Sequence, residues 1–355
     1  MSADTTMRQR SSCHAEPSSR YCHPEPQRRI SHALSQGDSP TILAIEGRGR
    51  SFAAAQHDKG RSDRRGRGSA AAQQDVGSQV LYSAVASGAP AHIYAYGNTA
   101  VASAYDAAAQ GYDESVAGDA WVRLLLWDRY RHHFRPGQRV LDVACGTGID
   151  ALFLARHGVH VHAIDVSPAM IRRLKDKVVA GGAEHEVQAQ VLDLSQVSEL
   201  PAGSFDGVIS AFAGLNTVPD LRRFAQDAAR ALRPHGVLIV HMLNRFSVWE
   251  WLCLVTTREW AAARRLGRKR ERTFVIGGHP VTHYLSSPRE AYDRSFSHVF
   301  RLSRMAGIGA LCPPATVRGV PRPIVRSLAR LDAVAGPHRP FSGWGRFYVL
   351  ELVRR

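Results

Sequence analysis

Val140-Leu-Asp-Val-Ala-Cys-Gly-Thr-Gly-Ile-Asp150 is the stretch that decides the fold. Arg139 to Val143 reads as a buried strand, because apolar residues run through it without a polar face. Ala144 to Gly148 reads as a tight glycine turn, whose small residues let the backbone come close to a ligand. From Ile149 the chain reads as a helix, whose first turn offers free N–H groups. Asp142 falls at the C-terminal end of the strand, where open α/β sheets hold their ligands. The stretch therefore predicts a nucleotide-type cofactor turn.

Outward from it the pattern repeats. Val159–Ile164 predicts a second strand that ends at Asp165. Pro168–Ala180 predicts a helix with Ser167 as N-cap and proline at the first position. Val187–Leu192 predicts a third strand that ends at Asp193, and Phe205–Ala211 a fourth. Asp220–Leu232 predicts a helix stopped by Pro234 and Gly236, and Val237–Met242 a fifth strand. Upstream, Asp119 to Tyr130 fits a helix with an apolar stripe. Strands alternating with helices predict a Rossmann-like α/β fold: a seven-stranded, mostly parallel sheet with helices on both faces. Its last strand, Arg346–Leu352, is expected to be antiparallel. Phe246–Arg265 reads as one helix, and Gly277 to Pro280 as the turn of a small hairpin reaching Tyr284. Ser287 to Glu290 starts a further helix, and Val299–Leu302 a short strand. Pro313 to Pro340 reads as an insertion with a short helix near 324–334.

The chain has 355 residues and a net charge of +15. Residues 1–80 carry 12 Lys/Arg against 8 Asp/Glu, residues 81–244 carry 14 against 16, and residues 245–355 carry 20 against 7. The basic character thus belongs to the C-terminal third. It suits nucleic acid, a membrane surface or an anionic substrate, and equally an arginine-rich solvated surface. The five cysteines form no Cys-x-x-Cys pair, so neither a zinc site nor a disulfide framework is expected. No apolar run reaches the length of a membrane span, and no apolar signal core follows Met1, so a cytoplasmic location is expected.

Three domains of organisation are expected: a disordered segment over 1–79, a cofactor-binding core over 98–244, and substrate-side insertions that complete the sheet over 245–355. The first segment contains two short duplications, Cys13–Arg20 with Cys22–Arg29 and Gly49–Asp58 with Gly66–Asp75. They are too short and polar to stack a core, and resemble translated bacterial intergenic repeats. On that reading the start codon is assigned too far upstream, and the true start is Val80, Val85 or Val101. The rival reading is a genuine disordered basic tail.

Gly146-x-Gly148-x-x-Ala151 also satisfies a dinucleotide fingerprint. Against a dehydrogenase stand Asp142 ahead of the glycines, the Ser167-Pro168 that follows Asp165, and a third strand acid at Asp193. A row of carboxylates suits a cationic, hydroxyl-bearing ligand better than a pyrophosphate. Together Val140–Gly148, Ala163-Ile-Asp-Val-Ser-Pro-Ala-Met-Ile171, Leu192-Asp-Leu194, Ser204–Ser210 and Ala231–Val240 resemble the class I S-adenosylmethionine-dependent methyltransferases. The resemblance covers roughly 105–244 and extends to the last strand. It is nearest to the small-molecule branch that includes ubiquinone- and menaquinone-type enzymes.

The resemblance implies S-adenosyl-L-methionine as cofactor; no acid cluster suggests a catechol-type Mg²⁺ site, so no metal is expected. Asp142 and the backbone of Ala144, Gly146 and Gly148 would face its methionine part. Asp165 would accept hydrogen bonds from both ribose hydroxyls. Val166 and Met170 would flank the adenine, and Asp193 and the Leu194 N–H would read its edge. Ala211 and Phe212 would line the methyl-donor pocket, and Tyr105 and Tyr112 would form a lid. For catalysis the candidates are weak: His241, read two to one as a core residue, Tyr112, and more remotely His279 and His283. The implied activity is in-line methyl transfer to a small-molecule or lipid-like acceptor. The alternatives are an RNA methyltransferase that uses the basic C-terminal third, including the Arg264–Arg272 charge run, and a cofactor-binding protein without turnover. Ser210 to Asn216 has neither an Asn-Pro-Pro-Tyr-like element nor a Pro-Cys, which disfavours adenine or glutamine N-methylation and cytosine C5 methylation.

Overall fold

The computed structural model describes residues 99–355, apart from 316 and 318. The expectations for 1–79, and the proposed start sites at Val80 and Val85, lie outside the described residues. Helices α1 (Thr99–Ala108), α2 (Tyr112–Val116) and α3 (Ala120–His133) lead into β1 (Arg139–Val143). Then follow α4 (Ile149–Ala155), β2 (His160–Asp165), α5 (Pro168–Gly181), β3 (Val187–Val191), β4 (Phe205–Ser210), α6 (Leu221–Ala231) and β5 (Leu232–Leu243). Beyond β5 lie α7 (Val248–Thr256), α8 (Trp260–Arg265), β6 (Glu271–Ile276), β7 (His279–Tyr284) and α9 (Pro288–Ala291). The described chain closes with β8 (Phe300–Ile308), α10 (Arg322–Ala335), α11 (Phe341–Trp344) and β9 (Phe347–Arg354).

Seven strands form one sheet in the order β3-β2-β1-β4-β5-β9-β8. Neighbours from β3 to β5 are parallel, and β9 runs antiparallel to both β5 and β8. The chain crosses from one half of the sheet to the other between β1 and β4, which opens a crevice at their C-terminal ends. Hairpin β6–β7 forms a separate two-stranded sheet. Two cores follow from the alternation along each strand. Val140, Val161, Ile209 and Ile239 pack on one face with Val122, Leu126 and Tyr130 of α3. Leu141, Ile164, Val208 and Leu238 pack on the other with Phe224, Ala225 and Ala228 of α6. Each such side chain, fully buried, contributes roughly 1.5–3 kcal/mol.

Local signals set several boundaries. Ser167 caps α5 by accepting from the Met170 N–H at 3.1 Å, Pro168 opens the helix, and Gly182 closes it in the left-handed region. Asp220 caps α6 by accepting from the N–H groups of Arg222 and Arg223. Helix α3 is tied to the sheet through Glu351 on β9, which accepts from Arg129 at 2.6 and 2.9 Å and pairs with His133 at 2.6 Å. Burial would raise this carboxyl, but the bonds from His133 and Arg129 outweigh it and hold Glu351 down at about 2. In the insertion, Asp332 on α10 accepts from four backbone N–H groups, those of Gly309, Ala310, Leu311 and Cys312.

The single helix expected over Phe246–Arg265 is two. Arg258 adopts φ +63°, which no right-handed helix accommodates, and it separates α7 from α8. Strand β8 is longer than the sequence indicates, because Met305 to Ile308 pair with β9 through Leu350 to Phe347.

Candidate functional site

The loops after β1 and β4 meet at the crevice under backbone constraint. Ala144 adopts φ +53°, Phe212 +48° and Ala213 +66°, a region costing non-glycine residues about 1–2 kcal/mol each. A Cβ on Gly214 would lie 2.5 Å from the Ala144 Cβ, so glycine is required where the loops touch. Strain gathered at a switch point is the signature of a built ligand site.

A cleft opens there. Its walls include Ala144 and Gly146 from the first loop, Asp165 and Val166 from β2, Asp193 and Leu194 from the β3 end, and Phe212 from the β4 loop. Tyr105 and Tyr112 also line it. A smaller cleft shares Tyr112, Ala144, Ala211 and Phe212 with the first and adds Arg123, Asp142 and Asp150. The acids expected at 142, 165 and 193 thus stand along one continuous edge.

Asp165 is held by two backbone donors. The Gly146 N–H donates to Oδ2 at 2.8 Å and the Ser167 N–H to Oδ1 at 2.9 Å. Each oxygen keeps lone-pair capacity for a ligand hydroxyl. Burial outweighs these two bonds and raises its pKa above the usual range. Asp142 is 1% exposed, and its Oδ2 has no hydrogen-bond partner. Burial, reinforced by Asp150 and opposed by Arg123, pushes its pKa well up. A buried carboxylate oxygen without a donor calls for a cationic one. Asp193 caps a short 3-10 turn through the Ser195 N–H at 2.7 Å.

The lid is pinned by acids that directly follow its tyrosines. Asp106 accepts from Ser167 Oγ at 2.5 Å and from the Ala169 N–H at 2.8 Å, which fastens α1 to the start of α5. Asp113 pairs with Lys177 Nζ at 2.5 Å and accepts from the Thr147 hydroxyl. Tyr112 lies against the glycine turn, since a Cβ on Gly146 would meet its ring at 3.4 Å. These pins were not legible in the sequence as contacts.

Arg123 is the residue that sequence reasoning missed. It sits on α3, 7% exposed, paired with Asp150 and lying 4.0 Å over the Phe212 ring. Trp127 Nε1 donates to the other Asp150 oxygen at 2.8 Å. Arginine in an amphipathic helix ordinarily reads as a surface charge. The only available signal is that it falls on the same stripe as Val122, Leu126 and Tyr130.

The expectations for Met170, Gly148, Tyr112, His279 and His283 need correction, whereas His241 is the core residue that its sequence reading favours. Met170 is fully buried and lines neither cleft, because helix α5 turns it into the interior. Gly148 lines neither cleft. It is there for φ +76° and for Leu174, whose Cδ1 would lie 2.1 Å from an added Cβ. His241 is fully buried, and its Nδ1 accepts from the Phe212 N–H at 3.0 Å. Burial, with Arg123 and Arg346, lowers its pKa to about 3, so it is a neutral ring that positions Phe212 and has no spare Nδ1 lone pair as a base. Tyr112 is pushed up to about 12, chiefly by burial, so its phenol stays protonated near neutral pH and offers a donor. His279 lies on the exposed hairpin and His283 is buried beside Phe274; neither lines a cleft.

The buried histidines predict a pH effect. His283, like His241, is depressed, to about 4, mainly by burial. The unfolded chain binds a proton there below about 6.5 and the native chain does not, so this stability is present at higher pH and is lost as pH falls. Urea titrations should show His283→Gln gaining on the wild type by about 1.4 kcal/mol per pH unit between roughly pH 6.5 and 4. A difference independent of pH would show that His283 takes up its proton in the native chain at the same pH as in the unfolded one.

The site and fold define an α/β cofactor domain with a carboxylate-lined adenosyl-type cleft. Residues 140–236 match the family model described as "Methyltransferase domain". The chain is 37% identical over 109 residues to a ubiquinone biosynthesis O-methyltransferase of Xylella fastidiosa, covering 31% of this chain and 43% of that protein. It is 39% identical over 112 residues to the protein of the same name from Xanthomonas campestris pv. campestris, covering 31% and 45%. Among solved structures, geranyl diphosphate C-methyltransferase from Streptomyces coelicolor A3(2) aligns at 14% identity and a TM-score of 0.43, over 69% of this chain and 84% of that one. The matched segment is a class I S-adenosylmethionine-dependent methyltransferase domain. The chain spans less than half the length of these two curated relatives.

The residues present fit that cofactor. Asp165 suits its ribose diol, the unpartnered Asp142 Oδ2 suits an ammonium, and Arg123 in the adjoining cleft suits a carboxylate. Among the described residues, no group of histidine, cysteine and carboxylate side chains could hold a metal. No helix among them is long and apolar enough to cross a membrane.

Proposed function

We propose that the whole chain is a methyltransferase that moves the methyl group of S-adenosylmethionine to a small-molecule or lipid-like acceptor. The observation that carries this reading is the buried Asp142 with its unpartnered Oδ2, next to the cleft that Asp165 lines. The bound cofactor supplies an activated methyl on its sulfonium. Asp165 holds the ribose, Asp142 and Arg123 hold the two charged ends of the amino acid, and Val166 and Leu194 flank the base. Tyr105 and Tyr112 cover the cleft and exclude water. The protein's contribution is alignment rather than proton transfer.

Room for an acceptor lies beyond the end of β5. A wide cavity of about 2310 Å³, open to solvent, is lined by Leu254, Trp260, Leu266, Phe274 and Leu285, with Arg258, Arg265 and Lys269 among its polar groups. Its apolar walls and cations favour an acceptor with an apolar body and an acidic group. Among the described residues, no side chain lining the cofactor cleft is poised as a base. The reading therefore favours an acceptor that needs little help in losing a proton.

The test is incubation of the full chain with methyl-labelled cofactor and a metabolite and lipid extract, followed by mass analysis. The expected result is label in a low-mass, organic-soluble product. Label in RNA would favour the nucleic-acid reading. Cofactor binding with no label transferred to any fraction would leave the non-catalytic reading.

A further inference from the structure

Helix α7 reads Val-Trp-Glu-Trp-Leu-Cys-Leu-Val-Thr, yet none of its residues is fully buried. Glu250, Cys253 and Leu254 form the side that lines the large cavity. Val248, Trp251, Leu252 and Val255 recur at i, i+3, i+4 and i+7, so they make a second apolar stripe on the side turned away from it. Trp251 and Leu252 are each 39% exposed, and Trp260 at the start of α8 is 54% exposed. A stripe with this spacing is normally covered.

Cations follow it in the chain, and three of them, Arg258, Arg265 and Lys269, line the large cavity. Between Val248 and Arg272 the chain carries seven Lys/Arg and three Asp/Glu. Arg258, Arg264, Arg265, Arg268 and Lys269 are exposed, and none forms an ion pair among the described residues. Arg270 is paired with Glu290, and Arg272 with Glu250. Exposed tryptophan and aliphatic residues flanked by free Lys and Arg are the composition of segments that lie in the headgroup layer of anionic membranes. RNA would use the cations but leave the Val248–Leu252 stripe in water. A second copy of this face would set the cations against themselves.

We infer that α7, α8 and the 264–270 loop form a docking surface for an anionic lipid bilayer, with the outer stripe of α7 seated at the headgroup level. Docking does not depend on methyl transfer. It would hold the large cavity on the far side of α7 from the lipid, about one helix diameter from the bilayer in which an apolar acceptor with an acidic group partitions.

Vesicle flotation with the full chain tests this. Binding is expected to vesicles of phosphatidylcholine mixed with phosphatidylglycerol, with a blue shift of tryptophan emission and loss at high salt. Pure phosphatidylcholine should bind at least about tenfold more weakly. Replacing both Trp251 and Leu252 with Ser, or both Arg268 and Lys269 with Gln, should cost about tenfold or more in vesicle affinity. These positions are exposed, so the melting temperature should stay unchanged. Vesicle binding that both variants retain, binding indifferent to lipid charge, or no binding at all overturns the inference. So does tighter binding to an RNA oligonucleotide that is insensitive to the Trp251 and Leu252 changes.

Discussion

Asp165→Asn is expected to weaken S-adenosylmethionine binding by roughly a thousandfold. Both carboxylate oxygens already accept one backbone N–H, from Gly146 and Ser167. A carboxylate can hold those two and still accept from two ribose hydroxyls; an amide cannot, because one of its ends is a donor. Two charge-assisted hydrogen bonds are lost, at about 1.5–3 kcal/mol each, and the amide N–H₂ opposes one of the backbone donors. The fold should suffer less, since burial already penalises the charge at this position. Calorimetric titration with S-adenosylhomocysteine, beside a thermal melt, separates the two effects. An affinity within threefold of the wild type, with the fold intact, would remove Asp165 from the site.

Gly148→Ala carries the largest expected loss of stability, about 3 kcal/mol or more. Part is the φ of +76°, which an L side chain adopts at a cost of about 1–2 kcal/mol. The rest is steric. The new Cβ would meet Leu174 Cδ1 at 2.1 Å and Cγ at 2.9 Å, and Leu174 is fully buried and cannot retreat without moving the core. Urea unfolding of Gly148→Ala, Leu174→Ala and the double variant apportions the two. The double variant should be less destabilised than the sum of the singles by about 1–2 kcal/mol. Strict additivity would assign the whole effect to the backbone.

How far the sequence discloses this molecule depends on what each residue's neighbours are. Strands β1 to β4 are legible to within a residue or so. The central strands β1 and β4 are buried over all but one or two residues and read as apolar runs, the edge strand β3 alternates valine and alanine with glutamine, and each of the first three strands ends at or beside an acid. Ser167 and Pro168 disclose the start of α5 because a cap and a fixed φ are local properties. Arg258 gives no such sign. Its left-handed turn is imposed by the packing of α7 and α8, so one apolar run reads as one helix. Arg123 is hidden for a different reason: its partner Asp150 lies 27 residues away, across a strand and a turn. Gly148 and Gly146 look alike in the motif, yet one faces Leu174 and the other faces Tyr112 and the cleft. Met170 is expected at the adenine only through the resemblance, and His241 sits in the core as its sequence reading favours. Both are turned inward by elements whose facing is set by the whole sheet.

On the proposed function, the cleft between the β1 and β4 loops binds a sulfonium nucleoside rather than a dinucleotide. Calorimetric titration of the full chain with S-adenosylmethionine and, separately, with NAD⁺ tests it most directly. Saturation at one S-adenosylmethionine per chain is expected, with no saturable heat from NAD⁺. Saturable binding of NAD⁺ at this cleft, with none of S-adenosylmethionine, would contradict it.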